Sequence, residues 1–138
     1  MKEDVWKKII SCLKNNKKIK LLSPKSNSQK SEVIDIFSDY IRIQFQDTKR
    51  KLKIEKGRFL SAYKMLNENK GQWVSIGASH DNTKPNTLEG RIKLDFNGNL
   101  KGLSTATWVA AILVNDFDNI EFNDRNMGKA LRMIDKSK

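Results

Sequence analysis

The most constraining stretch of this chain is Tyr40-Ile41-Arg42-Ile43-Gln44-Phe45-Gln46. Ile41, Ile43 and Phe45 alternate with Arg42, Gln44 and Gln46. A period of two turns successive side chains to opposite faces, so this run is a β-strand with one apolar and one wet face. Neighbouring segments extend it. Val33, Ile34 and Ile36 lead into a Ser38-Asp39 turn, and Lys51-Leu52-Lys53-Ile54 returns after an Asp47-Thr48-Lys49-Arg50 turn. The pattern predicts a three-stranded antiparallel meander. Phe45 shares the face of Ile41 and Ile43 and belongs to the core, which leaves Tyr40 alone as an aromatic side chain to stack on a base, so RNA and single-stranded DNA rank below duplex DNA as expected partners.

On either side of the meander the periodicity becomes helical. Val5, Trp6, Ile9, Ile10 and Leu13 form an apolar stripe over Asp4–Asn15, with lysines opposite. A basic amphipathic helix of this kind suits an anionic membrane surface or a domain core. The stripe favours packing, with the lysines left to hold phosphates. Lys18–Leu22 reads as a further strand, and Ser23–Lys30 as a polar loop. Phe59, Leu60, Tyr63, Met65 and Leu66 predict a helix over Gly57–Asn69, which Gly71 terminates. Trp73–Ile76 reads as a short strand. Thr87 is placed to cap a helix running to about Phe96, although Gly90 weakens it. Ser104 is placed to cap the next helix, Thr105 to about Asn115. Ile120–Phe122 and Ala130–Ile134 read as strands joined by the turn-rich Asn123–Gly128. The expectation is an α+β chain. A basic helix and β-meander over residues 1–55 pack on a winged helix-turn-helix-like half over 56–138, the two forming either small lobes or one domain.

Charge narrows the function. The chain of 138 residues has 27 Lys and Arg against 16 Asp and Glu, a net charge of +11. Residues 1–30 hold nine lysines against Glu3 and Asp4, and the middle of the chain is also basic. Such a field attracts polyanions. One cysteine, Cys12, makes no internal disulfide, and the Met1–Trp6 start lacks a secretory pattern, so a reducing cytoplasm is expected. The longest apolar run, Trp108–Val114, is of core length and no membrane span is expected.

Catalytic signatures are sparse. His80 lies between Ser79 and Asp81. Three adjacent loop residues do not form a triad, which needs its members to meet in space. One His and one Cys cannot supply four nitrogen and sulfur ligands, so no zinc site is expected. Glu89 with Arg91 and Lys93, and the acids Asp116, Asp118, Glu121 and Asp124, lack the strand context of a magnesium nuclease. Asn97–Gly102 is a turn and not a phosphate loop. The expectation is a binding protein without enzymatic activity, cofactor or metal.

From Gly57 onward the order is helix, strand, helix, turn, helix, strand, turn, strand. Together with the Val33–Ile54 meander, the Phe59–Leu66 helix and the segment Leu103–Leu113, this order resembles the DNA-binding accessory domains of bacterial restriction endonucleases. The resemblance covers roughly residues 18–134. It implies duplex DNA as the partner and a connection to restriction or to phage and mobile-element defence. It also implies that the third helix enters a major groove and the last hairpin lies on the backbone. Ser104, Thr105 and Thr107 are then the candidates for base contact, and Lys84, Lys101, Arg125, Lys129 and Arg132 those for phosphate contact. The alternative is a small phage or mobile-element protein with a protein partner, one that binds and inhibits a nucleic-acid enzyme such as a CRISPR nuclease.

Overall fold

A computed structural model of the chain describes residues 2–15, 18–19, 31–45, 48–77, 83–102, 104–123 and 130–135. The elements in chain order are α1 (Lys2–Asn15), β1 (Lys18–Ile19), β2 (Ser31–Ile36), β3 (Tyr40–Phe45), β4 (Lys51–Glu55), α2 (Lys56–Glu68), β5 (Val74–Ser75), α3 (Leu88–Asn97), α4 (Ala106–Asp116), β6 (Ile120–Asn123) and β7 (Ala130–Met133). The fold is α+β, with two separate antiparallel sheets.

The alternating strand, β3, is the third member of a four-stranded sheet of order β1-β2-β3-β4. The meander therefore gains a short fourth strand from Lys18–Ile19, while residues 20–22 of the expected strand lie outside the described residues. Apolar residues face one another in register: Val33 opposite Ile43, Ile41 opposite Ile54, Ile43 opposite Leu52. The β2 register shifts between Val33 and Asp35, so Ile34 forms a bulge. The hairpin from β2 to β3 turns on Ser38-Asp39, closed by the Phe37 N–H donating to the Tyr40 carbonyl at 2.9 Å. The residues just outside a two-residue turn stand opposite each other with side chains on the same face. This brings Phe37 and Tyr40 together.

The second sheet has the order β5-β7-β6, with β5 paired to the far side of β7. Its last loop, residues 124–129, lies outside the described residues.

A single hydrophobic cluster runs through residues 1–55 and 56–138 alike. Trp6, Ile9, Val33, Ile41, Phe59, Ile92, Ile112 and Leu131 all belong to it. At its centre lies α4. Of its eleven residues only Thr107, Val114, Asn115 and Asp116 have any appreciable surface. It contacts α1, α2, α3, β1 and β6. Phe45 and Trp108 meet at 5.0 Å between ring centroids, which ties the sheet to α4. Burying a helix this apolar stabilises the fold through area removed from water, about 1.5–3 kcal/mol for each large side chain.

The start of α4 corrects one expectation. Thr105 takes the N-cap position with no side-chain cap bond, and Ser104 precedes it. The acceptor comes from α3, where a Glu89 Oε1 atom takes the Ala106 N–H at 3.2 Å. Thr87 caps α3 as expected, accepting from the Gly90 N–H at 3.0 Å.

Candidate nucleic-acid interface

Of the three residues expected to read bases, one is buried and two are half-buried. Thr105 is fully buried, and its hydroxyl has no hydrogen-bond partner among the described residues. Ser104 and Thr107 are half-buried beside it. A helix can enter a groove only along a free face, and α1 and β1 pack on α4. Most of this helix is therefore part of the core. The element order concealed this, because the N-terminal helix and sheet, which cover α4, come earlier in the chain.

The expected phosphate contacts are dispersed. Lys84 is exposed on the approach to α3, and Lys101 is exposed in the α3–α4 turn. That turn is held by Lys101 N–H donating to Asn99 Oδ1 and by Asn97 Nδ2 donating to the Lys101 carbonyl, both at 2.8 Å. Arg132 is already engaged. Its Nη2 and Nε donate to Glu121 Oε1 at 2.6 and 3.0 Å, and its guanidinium lies 4.4 Å from the Trp73 ring centre. Arg125 and Lys129 lie outside the described residues, as do Ser79, His80, Asp81 and Asp124. Among the described residues, no group of three or more His, Cys, Asp or Glu side chains is placed to hold a metal ion. No helix in the described residues is long and apolar enough to cross a membrane.

A different surface gathers basic and aromatic groups. The buried stripe of α1 (Trp6, Ile9 and Leu13) seats the helix against the core. Trp6 also donates its Nε1–H to the Ser38 carbonyl at 2.9 Å, which pins α1 to the β2–β3 turn. Residues three and four apart share a helix face, so Lys7, Ile10, Ser11 and Lys14 form the adjacent stripe. That stripe and the segment Ile36-Phe37-Ser38 enclose an open groove of about 610 Å³. Trp6, Ile10 and Ile36 supply its apolar wall. Lys7 and Lys14 are exposed on it and form no ion pair among the described residues.

Phe37 stands at the edge of the groove with 42% of its surface exposed. It stacks on Tyr40 with ring centroids 4.5 Å apart and planes 25° apart. Beyond Tyr40 the surface turns onto the wet face of the sheet. Lys53 Nζ lies 4.5 Å and the Arg42 guanidinium 5.9 Å from the Tyr40 ring centre. Arg42 and Lys53 are register partners, as are Gln44 and Lys51. Two of the nearby acids have cationic partners of their own: Asp35 pairs with Arg42 at 3.1 Å and Glu55 with Arg58 at 2.8 Å. The surface thus runs from a lysine-edged groove over a stacked aromatic pair to a lysine-bearing sheet face. Phe37 had a readable signal in the sequence, since it stands three residues before Tyr40 across the Ser38-Asp39 turn.

No protein-family model, curated protein or solved structure matches this chain.

Proposed function

We propose that this protein binds nucleic acid through the continuous surface formed by α1, the β2–β3 turn and the wet face of β3 and β4. The observation that carries this reading is the presence of Lys7 and Lys14 on one side of the stacked Phe37–Tyr40 pair and of Lys53 on the other. A net charge of +11 adds a long-range field that draws in a polyanion. Exposed ammonium groups bind phosphates by releasing condensed counterions, and this requires no pocket and no base contact. The protein is a binding module in this reading, and its lysines position the strand.

The C-terminal half fits the same reading as a scaffold. The order α2, β5, α3, α4, β6, β7, with β5 added beside β7, supports a winged helix-turn-helix-like arrangement whose third helix is turned inward. Duplex recognition by insertion of α4 is not part of the proposal, because α1 and β1 cover that helix.

Fluorescence anisotropy with labelled DNA and RNA of random sequence, over a salt series, tests the reading. Affinity should fall linearly on a log–log plot, and the slope counts the phosphates held, at about 0.9 per contact for duplex and about 0.7 for single strands. The triple variant Lys7→Glu, Lys14→Glu, Lys53→Glu should lose at least about tenfold in affinity at low salt and show a shallower slope. Absence of binding to DNA and RNA at low salt would overturn the proposal.

A further inference from the structure

We infer that the groove between α1 and the β2–β3 turn takes an unpaired base, so that the strand bound here is single-stranded. This rests on the nucleic-acid reading above and names the ligand class of the same surface.

The groove has two chemistries side by side. Its volume, about 610 Å³, falls within the range of sites that enclose a small organic group, about 300–1,000 Å³. Its wall is apolar, from Trp6, Ile10 and Ile36, and its rim is cationic, from Lys7 and Lys14. An occupant must therefore bring a flat apolar body together with negative charge. A nucleotide of a single strand carries both, a π-face for Phe37 and a phosphate for the lysines. A duplex offers only the second, since its base faces are covered by their neighbours in the stack.

Phe37 is built for this role. A ring left 42% exposed places apolar surface in water, and Tyr40 stacks on one of its faces at 4.5 Å. Tyr40 is in turn flanked by Lys53 and Arg42. The ring next to the groove is thus preorganised, so little side-chain entropy is lost when a base stacks on it. With the base on Phe37, the phosphates on either side run toward Lys7 and Lys14 along α1 and toward Lys53 along the sheet.

The test compares oligothymidylate of about 15 nucleotides, the matching oligouridylate and a duplex of the same length, a size that covers the surface. The protein should bind at least one single strand more tightly than the duplex. Phe37→Ala should weaken single-strand binding about tenfold or more while leaving the duplex affinity and its salt slope unchanged. Phe37→Trp, which keeps a stacking face, should restore it. Because Phe37 is exposed, the variant should keep its fold, and circular dichroism checks this. Equal affinity for duplex and single strands in the unaltered protein overturns the inference. So does single-strand binding that survives Phe37→Ala. Both of those outcomes leave the lysine surface standing, whereas no binding to any of the three probes removes both proposals.

Discussion

Asp116, the last residue of α4, is a carboxyl in the wrong solvent. Its Oδ2 atom is buried without a hydrogen-bond partner among the described residues. Burial pushes its pKa from 3.8 up to about 7, against the pull of the Lys8 ammonium on α1. The same neighbourhood acts on Cys12, whose thiol is pushed up by burial and by Asp116 and, more weakly, Asp118, while Lys8 opposes. The sign of the linkage follows from the raised value. The folded chain holds a proton that the unfolded chain has released, so the stability contributed by Asp116 is present at low pH and is lost as pH rises from about 4 to about 7. Asp116→Asn removes the ionisation. At pH 8 the variant should be more stable than the parent by roughly 1–3 kcal/mol, and the advantage should vanish near pH 4. Thermal denaturation of the pair at the two pH values measures this. Glu89 is the opposite case of a buried carboxyl put to use. Burial raises its pKa too, but the Ala106 N–H and the Lys93 charge oppose the rise, and the carboxylate caps α4 from a neighbouring helix.

At the scale of elements, α3 shows how propensity yields to packing. Glycine inside a helix costs about 1 kcal/mol relative to alanine, so exchanging Gly90 for Ala would be expected to stabilise the chain on propensity alone. The tertiary structure reverses the sign. A Cβ at Gly90 would lie 2.0 Å from the Lys84 carbonyl oxygen and 2.8 Å from Pro85 Cα. The backbone of the 84–87 turn is itself held by the Thr87 hydroxyl, which donates to the Lys84 carbonyl at 2.7 Å while accepting from the Gly90 N–H. Relief of the clash requires that turn to move, at a cost of about 3 kcal/mol or more. Gly90→Ala should therefore lower stability by roughly 2 kcal/mol, readable as a shift in the urea midpoint at constant m-value.

Over the whole molecule the excess of positive charge opposes folding and promotes binding at once. With a net charge of +11, self-repulsion destabilises the compact chain and is screened by added salt. The free protein should show a Tm that rises as salt is raised from about 20 to 200 mM, a range over which the Debye length shrinks by about threefold. In the presence of excess single-stranded oligonucleotide the order should invert. Ligand binding to the folded state raises Tm at low salt, and that increment should be lost as salt weakens the complex. Differential scanning fluorimetry with and without oligonucleotide reads both trends.

What the sequence by itself determined is the set of elements and their faces. Alternation at Ile41, Ile43 and Phe45 forces a sheet with one buried side, and the stripe Trp6, Ile9, Leu13 forces a docked helix, because a period of two or of 3.6 leaves no other way to bury those side chains. What only the tertiary structure decided is which surfaces remain open. Ser104, Thr105 and Thr107 have the polarity of base-reading residues, yet Thr105 is buried. The exposure of a helix depends on what packs over it, and here that cover is α1 and β1, some 90 residues earlier in the chain. The spacing of Phe37 and Tyr40 across the Ser38-Asp39 turn is legible in the sequence, but the exposure of the Phe37 ring is not. The ring becomes a stacking platform because the two-residue hairpin aligns it with Tyr40, and because the Trp6–Ser38 hydrogen bond brings the lysines of α1 to its edge. Periodicity is a local property of the chain and is legible without the fold, whereas a binding surface is made from segments that meet only once the core has closed.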